Sequence, residues 1–174
     1  MIRYADHFVV LCRDEAEAQA ALALVQAWTA LAGLRLHPTK TRIVNAQTEG
    51  FDFLGYHFAE GTRWPRAKSL KKFQDTVRDK TRRTMGQSLS AIIEDLNRTI
   101  RGWFEYYQHS HYTTLGPLDS WLRMRLRSLL RRRHGRRGRG RGADHLRWPN
   151  GFFARLGLFS LLNAHAAVCQ SSLR

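Results

Sequence analysis

The stretch SLSAIIEDLNRTIRGWFEYY, residues 88–107, decides the fold class of the longer half of the chain. Its large apolar side chains recur at steps of three and four, which is the period of a helix with one apolar face. We therefore predict a long amphipathic helix whose aromatic residues pack into a core. Arg101 and Tyr106 lie off this apolar stripe, which makes them candidates for contacts with a binding partner. The stripe itself comprises Leu89, Ile92, Ile93, Leu96, Ile100, Trp103, Phe104 and Tyr107.

Two further helices are predicted beside this one. The first begins near Ser69 and ends at Gly86, and the other begins at Pro117, a residue favoured at the first helical position. Three amphipathic helices joined by short loops predict a small bundle over residues 61–134. In the third helix the spacing of arginines at i, i+4 predicts an outward face that carries Arg123, Arg127 and Arg131.

The first sixty residues have a different pattern. IRYA and FVVLC predict a hairpin with Asp6 at its tip, followed by a helix that Asp14 caps and Gly33 ends. Short strands are predicted at LRL, RIVN, FDFLG and YHF. The chain is therefore predicted to be α+β: a small hairpin, helix and strand domain over 1–60, then an all-α bundle. Residues 135–174 are predicted to be a flexible basic linker followed by a segment that packs back on the bundle.

Charge divides the chain at the same place. Residues 1–60 carry five Lys/Arg against seven Asp/Glu, whereas residues 61–174 carry 24 against seven, for net charges of −2 and +17. No apolar run is long enough for a membrane span and no signal peptide is recognisable at the start, so we expect a soluble cytoplasmic protein. A strongly basic chain favours a polyanion partner, and nucleic acid is the first candidate.

The segment RMRLRSLLRRRHGRRGRGR, residues 123–141, contains ten arginines and no acid. The positive charges of such a run repel one another unless an anion binds between them. Arginine can donate two parallel hydrogen bonds to one phosphate. RNA is the expected partner, with DNA as an alternative, and no cofactor is needed for this binding. Trp148 is either a stacking residue or the anchor of the turn at Pro149. Besides Arg101, Tyr106 and Trp148, the predicted RNA-binding residues are Arg123, Arg127, Arg131, Arg132, Arg133, Arg136, Arg137, Arg139 and Arg141.

Five segments, in order, carry a resemblance to one family. RYADHFVVL, residues 3–11, resembles the YADD hairpin of reverse transcriptases, and LAGLRLHPTKTRIV resembles the segment that follows it. FDFLGYHF resembles the primer-grip hairpin, and the helices at residues 69–107 resemble a thumb, or maturase, domain. RWPNGFFARLGLFSL is similar to the region that closes many of these proteins. Together they identify a group II intron reverse transcriptase/maturase: the end of the palm, followed by the thumb.

The resemblance implies a two-metal polymerase site that this chain does not complete. Asp6 matches the first aspartate of the YADD motif, and His7 replaces the second. The family takes another aspartate from an earlier palm strand, which we expect to precede Arg3 and to be missing here. Two-metal catalysis needs several carboxylates, and imidazole does not match the oxygen preference of Mg²⁺. We therefore predict that Asp6 is a remnant metal ligand, that the chain alone is not an enzyme, and that Mg²⁺ binds only if a partner completes the site.

Two more positions take a role from the resemblance. Lys40 is a solvated turn residue by its local sequence, and the family implies a place near the phosphates of an incoming nucleotide. Phe53, Leu54 and Gly55 form the core of a small hairpin, and the family implies that this hairpin grips a primer end.

The function predicted from these observations is the binding of structured intron RNA, in support of splicing or ribonucleoprotein assembly. One alternative is a split reverse transcriptase, in which another polypeptide supplies fingers and the missing palm aspartate. A second alternative is a basic subunit that binds nucleic acid without specificity.

Overall fold

The computed structural model describes residues 1–171, and within them the chain is α+β, as predicted. No helix in this part of the chain combines the length and apolar character needed to cross a bilayer. The strands and helices follow in the order β1 (Ile2–Tyr4), β2 (His7–Val9), α1 (Glu15–Leu31), β3 (Phe51–Phe53), β4 (Tyr56–Ala59), β5 (Thr62–Pro65), α2 (Ala67–Lys80), α3 (Leu89–Tyr107), α4 (Tyr112–Arg133), α5 (Asp144–Arg147), α6 (Asn150–Arg155) and α7 (Leu161–Ser171).

The chain divides into two compact units. The first contains residues 1–54 and 58–61, and the second contains residues 55–57 and everything from Thr62 onward. β1 and β2 form a two-stranded sheet, and β3, β4 and β5 form a three-stranded sheet in that order.

In the first unit, the predicted hairpin and the predicted helix are both present. β1 and β2 pair antiparallel with Tyr4 opposite His7, so Ala5 and Asp6 form the two-residue turn. Asp14 caps α1, because its Oδ1 accepts a hydrogen bond of 2.8 Å from the backbone N–H of Glu17. The serial pattern of an N-cap, an alanine-rich run and a glycine stop was therefore sufficient to place this helix.

The strands predicted at residues 34–36 and 42–45 are wrong. The segments beside them form turns instead, with the N–H of Thr41 bonded to the carbonyl of His37 and the N–H of Glu49 bonded to that of Asn45. β5, in contrast, was not predicted. Pro65, at the end of β5, has no backbone N–H to donate, so its presence argued against a strand. Because β5 lies at the edge of its sheet, the missing hydrogen bond is tolerated.

The helices α2, α3 and α4 build the core of the second unit. Leu96 and Ile100 of α3 are fully buried between residues of both other helices. Ser88 caps α3 by accepting from the N–H of Ala91 at 3.1 Å. The apolar stripe that predicted α3 is thus the centre of the core, with Tyr107 buried and Tyr106 exposed as expected. The residues that complete this core are Phe73, Val77, Ile92, Ile93, Phe104, Leu115, Leu118, Leu122, Leu126, Leu129 and Leu130.

The other two helix boundaries differ from the prediction. α2 ends at Lys80 rather than at Gly86, because Arg125 donates to the carbonyls of Arg78 and Thr81 and so takes acceptors at the helix end. α4 begins at Tyr112, five residues before Pro117. Pro117 therefore lies inside the helix, two residues after Leu115, whose complete burial holds the first turn against the core.

The C-terminal segment packs back on the bundle, as predicted. Phe153 of α6 and Leu161 of α7 are fully buried in the common core. The buried carboxylate of Asp119 on α4 accepts from the N–H groups of Leu161 and Leu162 at 2.9 and 3.2 Å, which caps the start of α7. A side chain from the middle of one helix therefore fixes the N-terminus of another.

Candidate nucleic-acid interface

The arginine-rich segment after α4 is folded against that helix, which corrects the prediction of a flexible linker. Gly140 is buried, and its N–H donates to Ser128 Oγ at 2.9 Å. A Cβ at residue 140 would collide with the side chain of Arg127 and lie 3.2 Å from the backbone N of Ser128. Only glycine allows this approach, so Gly140 is required by the fold at this point of the segment.

Five arginines of this segment extend from that anchored backbone with exposed side chains. None of them forms an ion pair with a carboxylate within residues 1–171. Arg132 lies in the last turn of α4 and the other four follow the helix, near its C-terminal end, where the helix dipole favours cations. We call these residues the arginine surface: Arg132, Arg136, Arg137, Arg139 and Arg141.

One buried ion pair holds the segment in place. Arg131 Nη1 donates to Asp144 Oδ2 at 2.7 Å, and Arg131 Nε donates to the carbonyl of Arg137 at 2.8 Å. Asp144 is 2% exposed, and burial alone would raise the pKa of its carboxyl. The N–H of Arg141 and the guanidinium of Arg131 outweigh burial, and they hold that pKa below its ordinary value. The guanidinium of Arg131 therefore has a structural role and is not counted among the RNA-binding residues.

Two predicted surface residues lie in the interior instead. Arg127 is 2% exposed, and it donates to the carbonyl of Trp148 at 2.9 Å and to Asn150 Oδ1 at 2.7 Å. Its guanidinium also lies over the ring of Phe153. Trp148 is 6% exposed, which selects the anchoring alternative over the stacking one. The i, i+4 spacing that predicted an outward Arg127 failed because the C-terminal segment covers that side of α4.

The remaining predicted contacts divide between structural and accessible positions. Arg133 is exposed but donates to the carbonyls of Met85 and Gln87, and half-buried Arg123 donates to Ser120 Oγ at 3.3 Å. Arg101 is exposed and lies 4.6 Å over the ring of Phe159. Tyr106 is 54% exposed at the end of α3. Arg101 and Tyr106 therefore keep accessible faces.

Sequence reasoning missed a second group of basic residues. Arg78, Arg83 and Arg125 meet Arg139 around one cavity, although they come from three separate parts of the sequence. The run RDKTRR at residues 78–83 was a signal for this group, but in the sequence it was interpreted only as part of a helix.

The N-terminal hairpin does not assemble a metal site. Asp6 is exposed, and its Oδ1 lies 2.9 Å from His7 Nδ1. A hydrogen bond from the turn backbone and the contact with His7 lower the pKa of Asp6, and the more distant charge of Lys40 adds to this. Among residues 1–171 no group of three or more His, Cys, Asp or Glu side chains converges in a geometry that could hold a metal ion. The residues present do not fit a two-magnesium centre, which needs several carboxylates.

The primer-grip-like hairpin is present as a tight turn. Leu54 has φ +47° and Gly55 has φ +79°, which is the pattern of a two-residue hairpin loop. Phe53 is half-buried and Leu54 is exposed at the turn. A Cβ at residue 55 would lie 2.8 Å from Tyr107 Oη, so glycine is required here for space as well as for backbone conformation.

Two family models match two separate parts of the chain. Residues 70–148 match the family model of the group II intron maturase-specific domain, a range that runs from within α2 to the end of α5 and includes the arginine surface. Residues 1–58 match the family model of reverse transcriptases, or RNA-dependent DNA polymerases. A search of curated proteins finds no match to the chain.

Proposed function

We propose that this chain, which belongs to the group II intron-encoded reverse transcriptase/maturase family, binds structured intron RNA through its second unit. The observation that carries the proposal is the arginine surface. It lies within the maturase-specific match, it is held in order by Gly140 and Asp144, and it carries no compensating carboxylate within residues 1–171.

Charge and geometry both suit an RNA partner. Arginine side chains that neutralise phosphates release condensed counterions, which drives binding and makes it depend on salt. The planar guanidinium also donates two parallel hydrogen bonds to a phosphate and stacks on unpaired bases. Tyr106 and Arg101 add an exposed ring and a further cation. The preference for RNA over DNA is supported by the family.

In this proposal the RNA performs the splicing chemistry and the protein stabilises the folded RNA. A protein that binds the folded form of an RNA more tightly than the unfolded form shifts the equilibrium toward the folded form. No protein nucleophile or general base is required. The chain alone extends no primer, because Asp6 with His7 provides too few carboxylate oxygens for two magnesium ions.

The test is a salt titration of RNA binding by two sets of variants with equal charge. Four substitutions to glutamine in the arginine surface should weaken binding and reduce the slope of log K against log salt by about three, since each lost phosphate contact removes about 0.7–0.9. Four substitutions at exposed basic residues elsewhere are the control. The first set is Arg132, Arg136, Arg137 and Arg141, and the control set is Arg35, Arg42, Lys68 and Arg155.

Equal affinities and slopes for the two sets would contradict the proposal. Competition with unrelated RNA and with duplex DNA at matched salt tests specificity. Equal affinity for all three nucleic acids would favour a basic subunit without specificity over a maturase.

A split reverse transcriptase remains the second candidate, and one observation favours it. The first unit exposes many large apolar side chains, which in a soluble assembly mark a surface for a partner. If a fingers and palm polypeptide supplies that partner, primer extension should occur only after the two chains are mixed, and Asp6→Ala should abolish it. These exposed side chains are Ile2, Tyr4, Leu11, Leu24, Trp28, Leu31 and Leu34.

A further inference from the structure

A cavity of about 160 Å³ lies in the second unit between α2, α4 and the segment that carries Arg139. This volume is several times what a single water needs, so the cavity has room for a small anion with part of its hydration. Its seven lining residues include four arginines and no acid. They are Arg78, Arg83, Trp121, Met124, Arg125, Ser128 and Arg139.

The positive charge around this cavity is mostly uncompensated. Arg78 pairs with Asp75 at 2.5 Å, outside the lining. Arg83, Arg125 and Arg139 have no carboxylate within salt-bridge distance among residues 1–171. Three unpaired cations around one concave space repel one another, and an anion between them would remove that repulsion.

Arg125 is a rigid member of the group. Its Nε donates to Thr81 Oγ1 at 3.0 Å, and its Nη2 donates to the carbonyls of Arg78 and Thr81 at 3.1 Å each. These bonds leave Nη1 without a protein acceptor in the described part of the chain. Burial, and then the charges of Arg83 and Arg78, lower the pKa of Arg125.

Arg139 is placed at the cavity by its neighbour. Gly140 lies against the backbone of α4 and bonds Ser128, itself a lining residue. Trp121, on the other side, is covered at 5.6 Å by the guanidinium of Arg78. Hydrogen bonds and packing therefore fix Arg78, Arg125 and the backbone beside Arg139, whereas the exposed side chains of Arg83 and Arg139 are free to turn toward a ligand.

We propose that this cavity is a binding site for a phosphate group, held by Arg83, Arg125 and Arg139. Charge-assisted hydrogen bonds from planar guanidinium groups match the tetrahedral oxygens of phosphate. In the RNA complex the site would hold one backbone phosphate, and this last step rests on the proposed function.

Isothermal titration of the full chain with inorganic phosphate, at constant ionic strength balanced by chloride, tests the site. We expect saturable binding at one site, and at least tenfold weaker binding in the double variant Arg83→Gln/Arg139→Gln, because both side chains are exposed and each loses contacts to a charged group. The matched control Arg42→Gln/Arg155→Gln changes the net charge equally and should bind phosphate like the native chain. Phosphate should also raise the melting temperature of the native chain more than chloride does.

Absence of saturable phosphate binding by the native chain, or equal weakening in the two double variants, would overturn the proposal. The same variants titrated with RNA distinguish the source of the phosphate. A larger loss of RNA affinity in Arg83→Gln/Arg139→Gln than in the control assigns the site to the RNA backbone, whereas equal RNA affinities with loss of phosphate binding assign it to a free phosphate compound. Failure of the native chain to bind RNA would contradict the proposed function, but it would leave the phosphate titration valid.

Discussion

The two units of this chain differ in how they use apolar side chains. Every buried apolar side chain among residues 1–171 belongs to the second unit, whereas in the first unit only Thr29 and Gly50 are buried. Three large apolar side chains of α1 face solvent: Leu24 is 73%, Trp28 62% and Leu31 90% exposed. The second unit therefore has the core needed to hold its surface arginines in order. The first unit, which matches the reverse transcriptase family model, has no buried apolar core of its own.

This contrast predicts its largest effect in the core. Leu126→Ala should lower the free energy of unfolding by about 2–5 kcal/mol, because Leu126 is completely buried and its loss leaves a cavity. Leu31→Ala in the first unit should change it by less than about 0.5 kcal/mol. Denaturant titration of the full chain measures both values. Similar losses of unfolding free energy for the two substitutions would contradict the claim that only the second unit has an apolar core.

Asp144→Asn should cost about 3 kcal/mol, because it leaves Arg131 without its buried partner. The lowered pKa of Asp144 makes this cost depend on pH. The carboxyl contributes stability above its ordinary pKa of 3.8, and this contribution is lost as the pH falls through the lower folded value. The difference in melting temperature between the native chain and the variant should therefore shrink as the pH falls below about 4. If this difference in melting temperature stays constant down to strongly acidic pH, the Arg131–Asp144 pair contributes no pH-dependent stability.

Gly140→Ala should destabilise the second unit by about 1–3 kcal/mol, since the added methyl group collides with α4. It should also weaken RNA binding, because Arg139 and its neighbours would be displaced. Gly102→Ala is the control, since nothing lies within 4 Å of a Cβ there and alanine favours a helix by about 1 kcal/mol over glycine. If the two variants behave alike in denaturation and RNA binding, the segment after α4 is not anchored at Gly140.

The smallest effect is expected at the hairpin. Asp6→Asn should change the free energy of unfolding by less than about 0.5 kcal/mol, because the side chain is exposed. RNA affinity should also remain unchanged. A clear loss of RNA affinity would show that the first unit also binds RNA, which contradicts the assignment of binding to the second unit.

Local patterns were enough to predict the hairpin at the start and the two helices that begin at an N-cap of their own. Asp14 and Ser88 are such caps, and the three-four spacing in α3 located the core. The boundaries that failed were set by distant residues. α2 ends early because Arg125, more than forty positions later, bonds its last carbonyls. The spacing of residues along the sequence cannot predict this contact between Arg125 and the end of α2.

The candidate interface was predicted in composition but not in geometry. The arginine run pointed to a polyanion, yet it could not show that Arg127 and Trp148 are buried. Arg127 bonds Trp148 and Asn150, which come more than twenty positions later, and this long-range contact cannot be read from the spacing of the arginines. The cavity around Arg125 was also out of reach, because its arginines come from separate segments and only the packing of α2 on α4 brings them together.

Amide hydrogen exchange of the full chain, with and without intron RNA, tests the central claim most directly. In the free chain, α3 should exchange slowly and α1 quickly, since only α3 is in a core. On binding RNA, we expect exchange to slow at residues 131–143 and to stay unchanged at residues 1–54. Protection at the N-terminal hairpin with none at residues 131–143 would contradict the account.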